Sequence, residues 1–119
     1  MRSCLLFAAV ALIAACGGSS STAATTTTPP VTTTPTVTTS VNISGFAFVP
    51  ATIQVGSGAV VTWTNSDNVN HNVTFANAAV GATSNFSTGT KTLTMPTAAG
   101  TYTYQCTIHA TMTGTVQVK

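Results

Sequence analysis

GTYTYQCTIHATMTGTVQVK, residues 100–119, holds two runs of strict alternation separated by a short loop. Tyr102, Tyr104 and Cys106 alternate with Thr101, Thr103 and Gln105, and Met112, Gly114, Val116 and Val118 alternate with Thr111, Thr113, Thr115 and Gln117. Side chains on a strand point to opposite faces with period two, so each run has a hydroxyl-rich face for water and an apolar face for a core. Cys106 and Met112 then stand at the facing ends of two inward rows.

The same parity runs upstream. Val61 and Trp63 alternate with Thr62 and Thr64, and His71, Val73 and Phe75 alternate with Asn72 and Thr74. From Val41 onward no window shows helical periodicity, and turn residues recur at short intervals, which predicts an all-β domain. Ile43 and the Phe46/Phe48 pair lead into Pro50. Thr52 to Val55 and Ala59 to Thr64 flank Gly56-Ser57-Gly58, which predicts an early hairpin. Further strands are expected over His71 to Phe75, near Lys91 to Met95, and over Thr101 to Gln105 and Thr113 to Val118. The sum is a β-sandwich of about seven to eight strands. Ala76 to Gly89 shows no regular pattern and receives no element.

A chain of 119 residues provides for one core. Arg2, Asp67, Lys91 and Lys119 are its only charged residues, too few for a basic nucleic-acid face or an acidic tail. No nucleic-acid partner is expected. Cys4, Cys16 and Cys106 fall in three different settings, which argues against a disulfide framework.

Met1-Arg2-Ser3 is a short positive start, and Cys4 to Ala15 is an apolar run too short to span a bilayer, as in a secretory signal. Ile13-Ala14-Ala15-Cys16 resembles the lipobox of bacterial lipoproteins, which implies lipidation of Cys16 after removal of residues 1–15. Cleavage of an ordinary signal peptide, with Cys16 a bystander, is the alternative. Residues 16–40 become Gly/Ser-rich and then Thr/Pro-rich (TTTTPPVTTTPTVTTS), a composition that favours extended chain over a core. This segment is expected to tether a folded domain, residues 41–119, to a membrane at the periplasmic or extracellular face. The domain itself is expected to be monomeric.

Cys106-Thr107-Ile108-His109-Ala110-Thr111-Met112 places a thiol, an imidazole and a thioether within seven residues. His71 supplies a second imidazole from a neighbouring strand end. Two histidines, one cysteinate and a weak axial methionine form the blue-copper donor set, which compromises between the geometries of Cu(II) and Cu(I). Little rearrangement on gain or loss of one electron suits such a site to electron transfer.

Val61 to Asn72 (V-x-W-x-N-x-D-x-x-x-H-N) and Gly100 to Met112 (G-T-Y-x-Y-x-C-T-x-H-x-x-M) resemble the cupredoxins, the blue type 1 copper proteins, over nearly all of residues 41–119. The two-residue gap between His109 and Met112 is similar to the amicyanin branch, which is related to plastocyanin and pseudoazurin. The resemblance implies a Greek-key sandwich with one copper ion on His71, Cys106, His109 and Met112. His71 would be the buried histidine, His109 the exposed one, Met112 the axial ligand, and Asn72 the residue tying the ligand loops together. Asn70 stands where many relatives carry proline, so a less constrained upstream loop is expected.

Singly, a lone inward histidine, cysteine or methionine is ordinary core material. The joint spacing carries the metal reading. Trp63 and Tyr102 are expected in the core, Tyr102 as a corner-type hydrogen-bond donor. Asp67, the domain's only acid, is expected to be a solvated loop residue, and it cannot form a catalytic carboxylate pair. A multicopper oxidase or nitrite reductase needs more histidine than His71 and His109, so no enzyme is expected. A copper chaperone or storage module, and a metal-free β-sandwich surface lipoprotein, remain alternatives to an electron carrier serving redox partner proteins.

Overall fold

A computed structural model describes residues 34–119; the expected export segment, the expected lipidation site Cys16 and most of the expected tether lie outside the described residues. Within them are nine strands: β1 (Thr36–Val37), β2 (Ser40–Ile43), β3 (Phe48–Val49), β4 (Thr52–Val55), β5 (Val60–Asn65), β6 (Thr74–Phe75), β7 (Gly89–Thr94), β8 (Gly100–Gln105) and β9 (Thr113–Val118). They form an all-β sandwich of two sheets, ordered β1-β4-β9-β8-β6 and β3-β2-β5-β7.

Parity predicts the inner faces well. Val41, Ile43, Ile53, Val61, Trp63, Val116 and Val118 are buried between the sheets, while the threonines between them face outward or are half-covered. Trp63, fully buried, meets Phe75 and Tyr104 nearly perpendicularly at centroid separations of 6.0 and 5.5 Å. Such edge contacts add about 0.5–1.5 kcal/mol per pair beyond the area they bury. The Tyr102 hydroxyl donates to the Ala98 carbonyl at 2.8 Å, the corner bond expected of it.

Three expectations need correction. Thr52–Val55 and Val60–Asn65 do not pair as a hairpin: β4 lies parallel to β9 in one sheet, and β5 lies parallel to β2 in the other. The Gly56 to Ala59 turn therefore crosses between the sheets, because each strand buries its apolar row against a distant partner. The domain also begins before residue 41. Thr36 and Val37 pair in parallel with Ile53 and Gln54, and Ser40 opens β2, so residues 36–37 cover a sheet edge. The strand expected over His71 to Phe75 is ordered only as β6, because His71 bonds to Phe86 in an isolated bridge instead of to a neighbouring strand.

Finally, the unassigned stretch after Phe75 folds back on the segment before it. His71 and Phe86 exchange backbone bonds of 3.1 and 2.9 Å, the Thr83 amide donates to Val73 and the Phe75 amide to Gly81. This excursion buries Val80 and Phe86 without long alternation, so period two does not reveal it.

Candidate metal centre

Strands β8 and β9 pair from Gly100↔Val118 to Gln105↔Thr113, which leaves Cys106 to Met112 as the loop at one end of the sandwich. The Cys106 amide donates to the Met112 carbonyl at 3.0 Å, and the Met112 amide to the His109 carbonyl at 2.9 Å. The loop is thus closed at its base. Alternation in the two strands brings Cys106 and Met112 into the core together, at 0% and 2% exposure. On the other side of β8, the pairs Thr74↔Gln105 and Phe75↔Tyr104 set the register that carries the chain back to His71.

Three donor atoms meet there. Cys106 Sγ is 3.9 Å from His71 Nδ1 and 3.8 Å from His109 Nδ1, and the two Nδ1 atoms are 3.2 Å apart. A point equidistant from all three lies about 2.1 Å from each, the scale of metal bonds to imidazole nitrogen and thiolate sulfur. His71 is wholly buried and His109 half-covered.

The tautomer of His71 follows from its other nitrogen. Nε2 lies 3.0 Å from Asp67 Oδ2, and an ionised carboxylate only accepts, so Nε2 carries the proton and Nδ1 presents its lone pair to Cys106 and His109. Asp67 is therefore not the solvated loop residue expected. Its other contacts are the amides of Gly45 at 2.6 Å and Phe46 at 2.9 Å. The Phe46 amide foremost, with the Gly45 amide and His71, holds the Asp67 carboxyl below its ordinary value, although partial burial acts upward.

Side-chain amides brace the two ligand segments. Asn72 accepts from the Thr107 amide at 2.9 Å and donates to Thr107 Oγ1 at 2.7 Å and Asn85 Oδ1 at 2.9 Å, joining the segment that bears His71 to the loop that bears Cys106. These bonds explain why Asn72, outward by parity, is buried. Asn65 accepts from the Asp67 amide at 2.9 Å and donates to the carbonyls of Val69 and Phe86 at 2.8 and 2.7 Å. The loop without proline at residue 70 is cross-braced by a side chain instead.

Sequence reasoning missed Asn65, Asp67 and Phe46. The signal for Asp67 was present: it is the lone acid of a nearly uncharged domain, four residues before a ligand histidine. Phe46 carried no such signal. Its ring packs almost perpendicularly on both imidazoles, 5.4 Å from His71 and 5.0 Å from His109 between centroids.

The donor set fits copper: a cysteine sulfur and two imidazoles in a compact triangle, with Met112 buried and its backbone bonded to that of Cys106. The chain belongs to the plastocyanin/azurin family of copper-binding proteins, whose sequence pattern matches residues 35–119. Among solved structures it is similar to amicyanin. A reduced tryptophan-to-tyrosine mutant of amicyanin is 32% identical, with TM-score 0.61, over 67% of this chain and 80% of that one. The Cu(I) form of a methionine-to-alanine mutant is 31% identical, with TM-score 0.60, over 71% and 82%. A copper-containing nitrite reductase from Thermus scotoductus SA-01 shares the fold alone, at 22% identity over 71% of this chain and 22% of that one. Comparison with curated protein sequences returns no match. Family and site together define a blue-copper one-electron carrier.

Proposed function

We propose that this carrier works at the cell envelope, exported by residues 1–15, lipidated on Cys16 and held near the membrane by the Thr/Pro-rich segment, and that it exchanges electrons with protein partners through the edge of His109. The observation that carries the redox reading is the convergence of Cys106 Sγ with the Nδ1 atoms of His71 and His109. In the bound state copper would supply the one-electron couple. The chain's own part is to keep the donors in one arrangement for both oxidation states: a closed loop fixes Cys106 and Met112, Asp67 fixes the His71 tautomer, and Asn72 holds the two ligand segments at constant separation.

Catalysis is not part of this reading. Both histidines are committed to one donor set, and a groove of about 410 Å³ among the described residues is lined by residues 74–76, 103–105 and 113–115, which include neither histidine nor Cys106. An exchangeable storage site would favour exposed donors, whereas Cys106 and His71 are fully buried. Beside half-covered His109, Ile108 at 44% and Phe46 at 51% exposure show apolar side chains, which suits docking by short-range contact.

Two experiments test the proposal. The purified domain should develop an intense visible band and a narrow-hyperfine EPR signal with one equivalent of Cu(II); a colourless complex would refute the carrier. For the anchor, Cys16→Ser should move the protein from membranes to the soluble fraction or block its maturation. An unmodified mature N-terminus at another residue would refute lipidation.

A further inference from the structure

The turn Ser44-Gly45-Phe46-Ala47 joins β2 to β3. Ser44 and Ala47 exchange backbone bonds of 3.0 and 3.2 Å, and both central residues are left-handed, with φ of 62° at Gly45 and 58° at Phe46. This is a two-residue hairpin of the type I′ kind, whose second position ordinarily selects glycine. Phenylalanine there is strained, and its ring is half exposed, so neither backbone preference nor core packing accounts for it. Two features hold it. The successive amides of Gly45 and Phe46 form a concavity of the sort that captures anions, and the Asp67 carboxylate fills it. The same carboxylate grips His71 Nε2. Asp67 thereby sets the height of the hairpin above the donors, and the Phe46 ring comes to rest across both imidazoles.

We propose that Ser44–Ala47 is a cover for the metal centre, pinned by Asp67, in which Phe46 shields the His71 and His109 rings from water and from small competing ligands. The inference rests on the copper reading. It assigns Phe46 a selective task, to keep the centre closed to exogenous donors while leaving the His109 edge near the surface for electron exchange. Asp67 is a positioning residue acting through the hairpin and through His71.

Phe46→Gly separates this task from a structural one, since glycine suits the left-handed position better. The apo-protein of this variant should melt no lower than the parent. Its copper-loaded form should nevertheless surrender Cu(I) to bicinchoninate about tenfold faster or more, and added azide should perturb its visible band, while the parent resists azide. Asp67→Ala should open the centre to azide in the same way. A Phe46→Gly protein that releases copper at the parental rate and ignores azide would overturn the cover, and azide resistance in Asp67→Ala would overturn the pin. The copper reading is checked separately: a parent that takes up Cu(II) without an intense band would remove that reading and the cover with it.

Discussion

At the scale of single residues, the four donors differ in what their loss should do. Cys106 is the only thiolate in the triangle, and charge transfer from sulfur to copper gives such centres their colour. Cys106→Ser should therefore abolish the intense band while leaving the fold intact, because serine fills much the same volume; absorption and circular dichroism of the copper-loaded variant check both parts. Met112 would supply the weakest ligand of the set. Met112→Gln should keep copper and lower the reduction potential, since a harder oxygen donor favours Cu(II), and an unchanged potential in voltammetry would show that Met112 only packs. These donors were legible in the sequence because three of them share one short loop and His71 stands at the end of an apolar row. The contact between Asp67 and Phe46 was not, for a physical reason: it crosses 21 residues through a backbone amide and depends on a left-handed turn, not on side-chain pattern.

At the scale of elements, the pair β8 and β9 shows how close packing fixes the ligand loop. Tyr104 lies opposite Gly114, and a Cβ at Gly114 would overlap the end of the Tyr104 ring, which is itself buried against Phe48, Trp63 and Phe75. Gly114→Ala should destabilise the domain by about 1–3 kcal/mol, the usual penalty of overpacking, as read by denaturant melts of the apo-protein. The Tyr104 hydroxyl and the Trp63 indole N–H are both buried without a hydrogen-bond partner among the described residues. Burial pushes the Tyr104 hydroxyl up from 10.0 to about 12, the neighbouring Trp63 acting in the opposite direction. The folded chain thus keeps a proton that the unfolded chain loses above pH 10, so alkali favours unfolding, by about 1.4 kcal/mol for each pH unit across that interval. Tyr104→Phe should remove this alkaline loss and cost little at neutral pH, as melts of both proteins from pH 8 to 11 would show. Alternation made these strands legible one by one. Their partners were not: β2 with β5 and β4 with β9 pair in parallel between distant segments, and nothing in a local window distinguishes that from the hairpin expected across Gly56-Ser57-Gly58.

At the scale of the whole molecule, charge is nearly absent, and among the described residues it comes down to Asp67, Lys91 and Lys119. Asp67 is engaged by two amides and His71. Lys91 stands opposite Trp63 on β7, and Lys119 follows the far end of β9, whose six residues span about 20 Å from the ligand loop. No clustered field can form around His109, whose neighbours Ile108 and Phe46 are exposed and apolar. Long-range steering raises association rates only where charges of one sign gather, and such acceleration falls steeply with salt. In the proposed envelope setting, encounter with a redox partner would depend on short-range apolar contact and on the concentration that the proposed membrane tether would supply. Electron exchange with a natural partner should vary by less than about tenfold between low and high ionic strength, where the screening length falls from about 30 Å to about 3 Å. Ala110→Glu, on the exposed loop beside His109, should slow the exchange without changing the visible band, because a charge there must be desolvated on docking. Stopped-flow mixing over that range of salt decides between the two modes. A fall in rate beyond tenfold for the parent would mean that the partner feels a field that Lys91 and Lys119 cannot create from where the sheets hold them.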